Sequence, residues 1–159
     1  MNMYSFNNAT HFIVRVGDGI NFRNSINPFW GMKKNALGIA KNMKAGDIIW
    51  FIVNKSNGGK AIGVAEFTGE LYNRKEENIL AINTLTNEEQ GWVGDEAWDI
   101  QIHYKNLYMI DHVNIKICLQ GAWIIMYYSS MKDKIIDDLP ICFESIKRFT
   151  VPYTHIVKK

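Results

Sequence analysis

A chain of 159 residues, 47% of them apolar, has the size of one domain and enough apolar side chains to bury a core. Charged residues make up 21% and the formal net charge is only +2, so no global field draws this protein onto polyanions. The longest apolar run, Ile48 to Val53, is too short to cross a bilayer, and Met1 to Phe6 lacks the basic and apolar regions of a secretory signal.

In chain order, Phe12-Ile13-Val14-Arg15-Val16 reads as a first strand, broken by Gly17-Asp18-Gly19. A loop or irregular turn leads to Trp30. Asn35 is placed to N-cap a short helix reaching Met43, with Leu37, Ala40 and Met43 near one face. Ile48 to Val53 is continuous in apolar residues, the pattern of a strand buried on both faces. Ser56-Asn57-Gly58-Gly59 is the strongest turn signal, and Lys60 to Thr68 returns as the second arm of a hairpin. The small Gly63 and Ala65 there predict a close neighbour on that face. The segment from Asn73 to Glu89 is polar and reads as loop or short helix. Trp98, Ile100, Ile102 and Tyr104 alternate with Asp99, Gln101, His103 and Lys105 as a half-buried strand. Val113 to Leu119 alternates in the same way. Ala122 to Tyr128 fits strand or helix. Asp138 and Pro140 open a final helix carrying Phe143, Ile146 and Phe149. With no repeat and no linker, residues 1–159 read as one α+β domain. Its sheet is expected to be mixed, curved or barrel-like, and flanked by short helices.

Two stretches resemble known families. Asn27-Pro28-Phe29-Trp30-Gly31-Met32-Lys33 is followed by Lys44-Ala45-Gly46-Asp47 leading into the Ile48–Val53 run, and then by Gly63-Val64-Ala65-Glu66-Phe67. This order and spacing resembles EVE domains. Asn24-Ser25-Ile26 before Trp30, Ile52-Val53-Asn54-Lys55-Ser56 and Gly63-Val64-Ala65-Glu66 are similar to YTH domains. The resemblance covers roughly positions 10–108. It implies a PUA-like fold and a partner that is RNA or DNA carrying a modified base, such as a methylated adenine held in an aromatic cage. By resemblance, Trp30 is one cage wall, Trp92 a second wall with Trp98 as its competitor, and Asn21, nine residues before Trp30, the contact to the base edge. Arg15-Val16 stands where YTH domains carry Lys-Ser. The stretch between Glu66 and Trp92 is longer than in YTH domains, and the chain from Met109 matches neither family.

Residue chemistry supports part of this and leaves alternatives open. Trp30 lies in a polar, turn-rich loop, where an indole either stacks on a base, worth about 1–3 kcal/mol, or packs on the sheet. Trp92, between Gly91 and Gly94, is either a wall that closes over a ligand or a hydrophobic plug. The phase of Trp98 matches Ile100 and Ile102, which puts it in the core, and Trp50 is core. Asn21 reads a Watson–Crick edge or turns the loop after Gly19. Backbone groups near Gly31 are further candidates for edge recognition. Arg23, Lys33, Lys34, Lys41 and Lys44 flank the Trp30 loop, as phosphate contacts or as a solvated face.

An enzyme acting on nucleotides would pair Glu66 with His103, with Asp99 as an optional third group. His11, His112 and His155 lack ligand spacing, and Cys118 and Cys142 form no zinc motif. No catalytic residue, metal or cofactor is therefore expected. Free thiols in a reducing, intracellular compartment are. A protein-interaction module on the same fold is the third reading.

Overall fold

The computed structural model describes residues 9–74, 84–110, 125–127 and 151–153. In chain order these form β1 (His11–Arg15), α1 (Ile20–Asn24), β2 (Phe29–Met32), α2 (Leu37–Ala40), β3 (Ile48–Ile52), β4 (Ala61–Asn73), α3 (Asn87–Gln90), β5 (Ile100–Met109), β6 (Ile125–Tyr127) and β7 (Val151–Tyr153). The architecture is α+β: one mixed sheet ordered β2-β5-β4-β3-β1-β6, with β7 also paired to β5, and helices of four or five residues beside it. The expected strand Val113–Leu119, the helix after Asp138, both cysteines, Trp123, His112 and His155 lie outside the described residues. Within Ala122–Tyr128, residues 125–127 are strand.

The apolar run makes β3 a central strand, buried at all five positions. Its two faces pack differently. Ile49 and Phe51 join Phe12, Val14, Ile62, Phe67, Tyr104 and the α1 residue Phe22 in the main core. On the other face Trp50 is fully buried, and its Nε1 donates to His11 Nδ1 at 3.0 Å. Phe22 stacks on Phe51 at 4.3 Å between centroids. A Cβ on Gly63 would stand 3.0 Å from the Phe22 ring, so Phe22 is the close neighbour that the small residues predicted.

β1 and β3 run parallel, in register from His11↔Ile48 to Arg15↔Ile52. Their carboxyl ends therefore lie side by side, and Asn54 N–H donates to Gly17 O at 2.8 Å. The β3–β4 hairpin turns through a short 3₁₀ segment, Lys55–Asn57, and Gly58 at φ 103°. β4 is longer than the hairpin signal suggested, running to Asn73. Its pairing with β5 shifts between Val64 and Glu66 and again between Phe67 and Leu71. Such bulges bend a sheet and increase its twist. Beyond the second shift, β5 also pairs with β2, from Phe29↔His103 to Met32↔Ile100.

The helix expected from Asn35 to Met43 is reduced to a 3₁₀ turn (Lys34–Ala36) followed by α2, and no side chain caps either. Asn35 falls inside the 3₁₀ turn and does not cap it.

Candidate base-binding pocket

An open cavity of about 580 Å³ lies beyond the adjacent carboxyl ends of β1 and β3. Its lining comes from five separate stretches: Arg15 to Asp18 at the end of β1 and beyond it, Asn21 of α1, Trp30 and Gly31 of β2, Asn54 to Ser56 after β3, and Trp98 before β5. The volume suits a drug-sized or nucleoside-sized ligand.

Trp30 is half-buried. Its ring meets Phe22 edge-on at 6.0 Å and Trp92 edge-on at 5.4 Å, which fixes the indole from behind. Its Nε1 is buried and meets no hydrogen-bond acceptor among the described residues. Gly31 is buried between two further indoles. A Cβ there would come within 2.5 Å of Trp98 Cβ and 2.9 Å of Trp92 Cζ3. Only glycine lets Trp98 approach β2 this closely.

The two tryptophans offered for the second wall occupy different places. Trp92 is 6% exposed and absent from the lining. Its Nε1 donates to Ser25 Oγ at 2.8 Å, so it props Trp30 from inside the protein. Trp98 lies outside β5, partly buried, and lines the cavity. Core placement from its phase with Ile100 and Ile102 does not hold, because the strand begins only at Ile100.

Asn21 lines the cavity, but its amide is engaged. Nδ2 donates to Val93 O at 3.2 Å and Oδ1 accepts Val93 N–H at 3.0 Å. Asn54 is half-buried and lines the same cavity, and its side chain has no hydrogen-bond partner among the described residues. Asp18 Oδ1 accepts Ile20 N–H at 2.9 Å and begins the turn into α1.

Among the cations, Arg15 and Lys55 line the cavity. Arg23, Lys33, Lys34, Lys41 and Lys44 are all exposed and none belongs to the lining. Lys33 Nζ lies 3.4 Å from Glu96 Oε2. Proximity along the chain brought these lysines into consideration; the cavity instead collects cations from the ends of two strands.

Two buried glutamines, missed because the alternation reads Gln as solvent-facing, hold the site together. Gln90 donates from Nε2 to Phe29 O at 2.8 Å and accepts Asn27 N–H at 2.8 Å, pinning the start of β2. Gln101 is fully buried and donates to Leu85 O at 2.8 Å and to Trp98 O at 3.1 Å. It thereby fixes the backbone that carries the Trp98 indole.

The enzyme trio is not assembled. Glu66 Oε1 accepts from Asn106 Nδ2 at 3.4 Å, and Asp99 lies 3.6 Å from Arg74 Nε. His103 belongs to a separate cluster. Phe29 stacks on its ring at 4.6 Å, and Nδ1 is 3.0 Å from Thr68 Oγ1 and 3.3 Å from Glu70 Oε2. A carboxylate only accepts, so the Glu70 contact favours the tautomer with its proton on Nδ1. Burial lowers the His103 pKa, and the Glu70 charge offsets this in part. Among the described residues, no group of three His, Cys, Asp or Glu side chains is placed to hold a metal ion, and no helix is long and apolar enough to cross a membrane.

No family model and no curated protein matches this chain. Among solved structures, it is similar to the YTH domain of the Zygosaccharomyces rouxii MRB1 protein, crystallised in complex with N6-methyladenosine RNA. The TM-score is 0.42 at 12% identity, covering 93% of this chain and 91% of that one. It is likewise similar to the Pho92 YTH domain in complex with m6A, with a TM-score of 0.42 at 14% identity, covering 95% and 92%.

Proposed function

We propose that this protein binds a single nucleobase, modified by methylation, within an RNA strand, and that it is a reader rather than an enzyme. The observation that carries the proposal is the convergence of Trp30 and Trp98 on one open cavity, brought together across the side-chain-free Gly31. Two indole faces suit a flat, apolar-edged ligand, and each base–aromatic stack contributes about 1–3 kcal/mol.

The polar lining supplies the rest. Asn54 offers an unengaged donor and acceptor to a base edge. Arg15 and Lys55 neutralise the phosphates nearest the bound base. The net charge of +2 provides little long-range attraction, so affinity rests on the pocket. Extruding a stacked base costs a few kcal/mol, which favours single-stranded over duplex substrate. The sequence motifs make N6-methyladenine the first modification to try, and the same pocket chemistry extends to DNA.

The test is a binding array of RNA and DNA oligonucleotides, matched except for one modified base, against the wild type and Trp30→Ala. Preference for one modified base, lost in Trp30→Ala, supports the proposal. Binding indifferent to both base and Trp30 rejects it.

A further inference from the structure

The segment between Trp92 and Trp98 has no helix or strand, and its side chains from Val93 to Ala97 are exposed, Val93 at 70%. A stretch like this is expected to fray, yet it is tied down from three directions, two of them through its backbone. Asn21 exchanges two hydrogen bonds with Val93, a residue 72 positions away, as a neighbouring strand would. Asn87 Nδ2 donates to Gly94 O at 3.1 Å and to Glu96 O at 2.8 Å. Lys33 pairs with the Glu96 side chain. One turn further on, at the C-cap of α1, Ser25 takes the Trp92 indole N–H and itself donates to Asn21 O at 2.8 Å. Asn21 and Ser25 thus grip the consecutive residues Val93 and Trp92 from α1 and its cap.

We propose that Asn21 is a positioning residue that latches the 93–97 loop, so that Trp98 is held as a pocket wall, and that Asn21 is not the group that reads the base. This rests on the assignment of Trp98 as a wall. The chemistry of asparagine is specific here. The latch needs one donor and one acceptor on a short side chain. Aspartate keeps the bond from Val93 N–H but sets a carboxylate against Val93 O. Glutamine is one methylene too long. Val93 occupies the side of the amide that presents a donor and an acceptor together, leaving only a single N–H and a single lone pair, on separate atoms, for anything else.

Amide hydrogen exchange on the ligand-free protein tests the latch without reference to any ligand. Losing the acceptor at Val93 N–H in Asn21→Ala is expected to speed exchange there by about tenfold or more, in line with the loss of two hydrogen bonds. Asn21→Asp should give a smaller increase. Unchanged Val93 exchange in Asn21→Ala overturns the latch, whatever the protein binds. Should Asn21→Ala fail to fold, Asn21→Asp carries the same reading.

Binding kinetics on the preferred oligonucleotide supply the second readout, with Asn87→Ala as the companion variant because Asn87 touches the loop and not the cavity. A latch predicts that both variants shorten the residence time several-fold while the ranking of modified over unmodified base is kept. If Asn21→Ala instead erases that ranking and Asn87→Ala leaves residence time unchanged, Asn21 reads the base and the proposal fails. If no oligonucleotide binds the wild type, the reader assignment fails while the exchange result still decides the latch.

Discussion

Gly31→Ala is the sharpest perturbation available. Its backbone is ordinary strand, without the positive φ seen at other glycines. In an open strand, replacing glycine by alanine would stabilise by about 0.5–1 kcal/mol through backbone entropy. Here the new methyl group would lie 2.5 Å from Trp98 Cβ and 2.9–3.0 Å from the Trp92 ring. No carbon pair tolerates 2.5 Å, so Trp98 must move away from β2 or the strand must shift. Overpacking of this kind costs about 1–3 kcal/mol, which reverses the sign of the substitution. Displacing Trp98 also removes a stacking face worth about 1–3 kcal/mol, or about 5- to 150-fold in affinity. The assays are urea unfolding and oligonucleotide titration on the same preparation. The expected result is a lower unfolding midpoint together with weakened binding. A stabilised variant with unchanged affinity would refute both the packing geometry and the placement of Trp98 in the site.

Three further outcomes follow from the same geometry. Trp98→Ala should weaken binding by about 5- to 150-fold and cost less stability than Trp92→Ala, because its indole is only partly buried. Trp92→Ala should mainly destabilise the fold, by about 3–5 kcal/mol, because that indole is buried and hydrogen-bonded. Lys55→Gln should reduce the slope of log affinity against log salt by about 0.7 on single-stranded substrate, measured by titration at several ionic strengths. His103 gives the pH dependence. Its folded pKa is lowered from 6.5 by burial, so the unfolded chain binds the proton more readily. Stability from neutral His103 is fully present above about pH 6.5 and is lost as pH falls through the lowered folded value. Urea midpoints from pH 7.5 down to 5 should fall less steeply in His103→Gln than in the wild type; equal slopes would contradict the assignment.

Much of the fold was legible because it is written in local pattern. The run Ile48 to Val53 has no polar interruption, and β3 is buried on both faces. The Asn57-Gly58-Gly59 signal marks a real reversal, and the smallness of Gly63 registers the Phe22 ring. What escaped depends on distance in space. β4 continues past Thr68 through Gly69 and Glu70, where a bulge breaks the alternation that would have revealed it. Trp98 carries the phase of a strand that has not yet started. Gln90 and Gln101 look solvent-facing to any pattern, yet both are fully buried because each satisfies the backbone of a neighbouring loop. The cavity itself gathers Arg15, the adjacent Asn54 and Lys55, and Trp98 from three distant places along the chain. Motif and spacing singled out Trp30 and Gly31, and both lie in the lining. The division of labour between Trp92 as prop and Trp98 as lining was not, since both are tryptophans in the same glycine-flanked stretch.

The most direct test of the central claim is the ratio of affinities for two RNA strands that differ by one N6-methyl group on one adenine, measured for the wild type and for Trp98→Ala. Burying one methyl group against indole contributes about 0.8 kcal/mol, about fourfold in affinity before any gain from stacking. The account predicts that the wild type prefers the methylated strand by at least that factor and that the preference collapses in Trp98→Ala. A ratio near one in the wild type, or a preference that survives loss of Trp98, would contradict it.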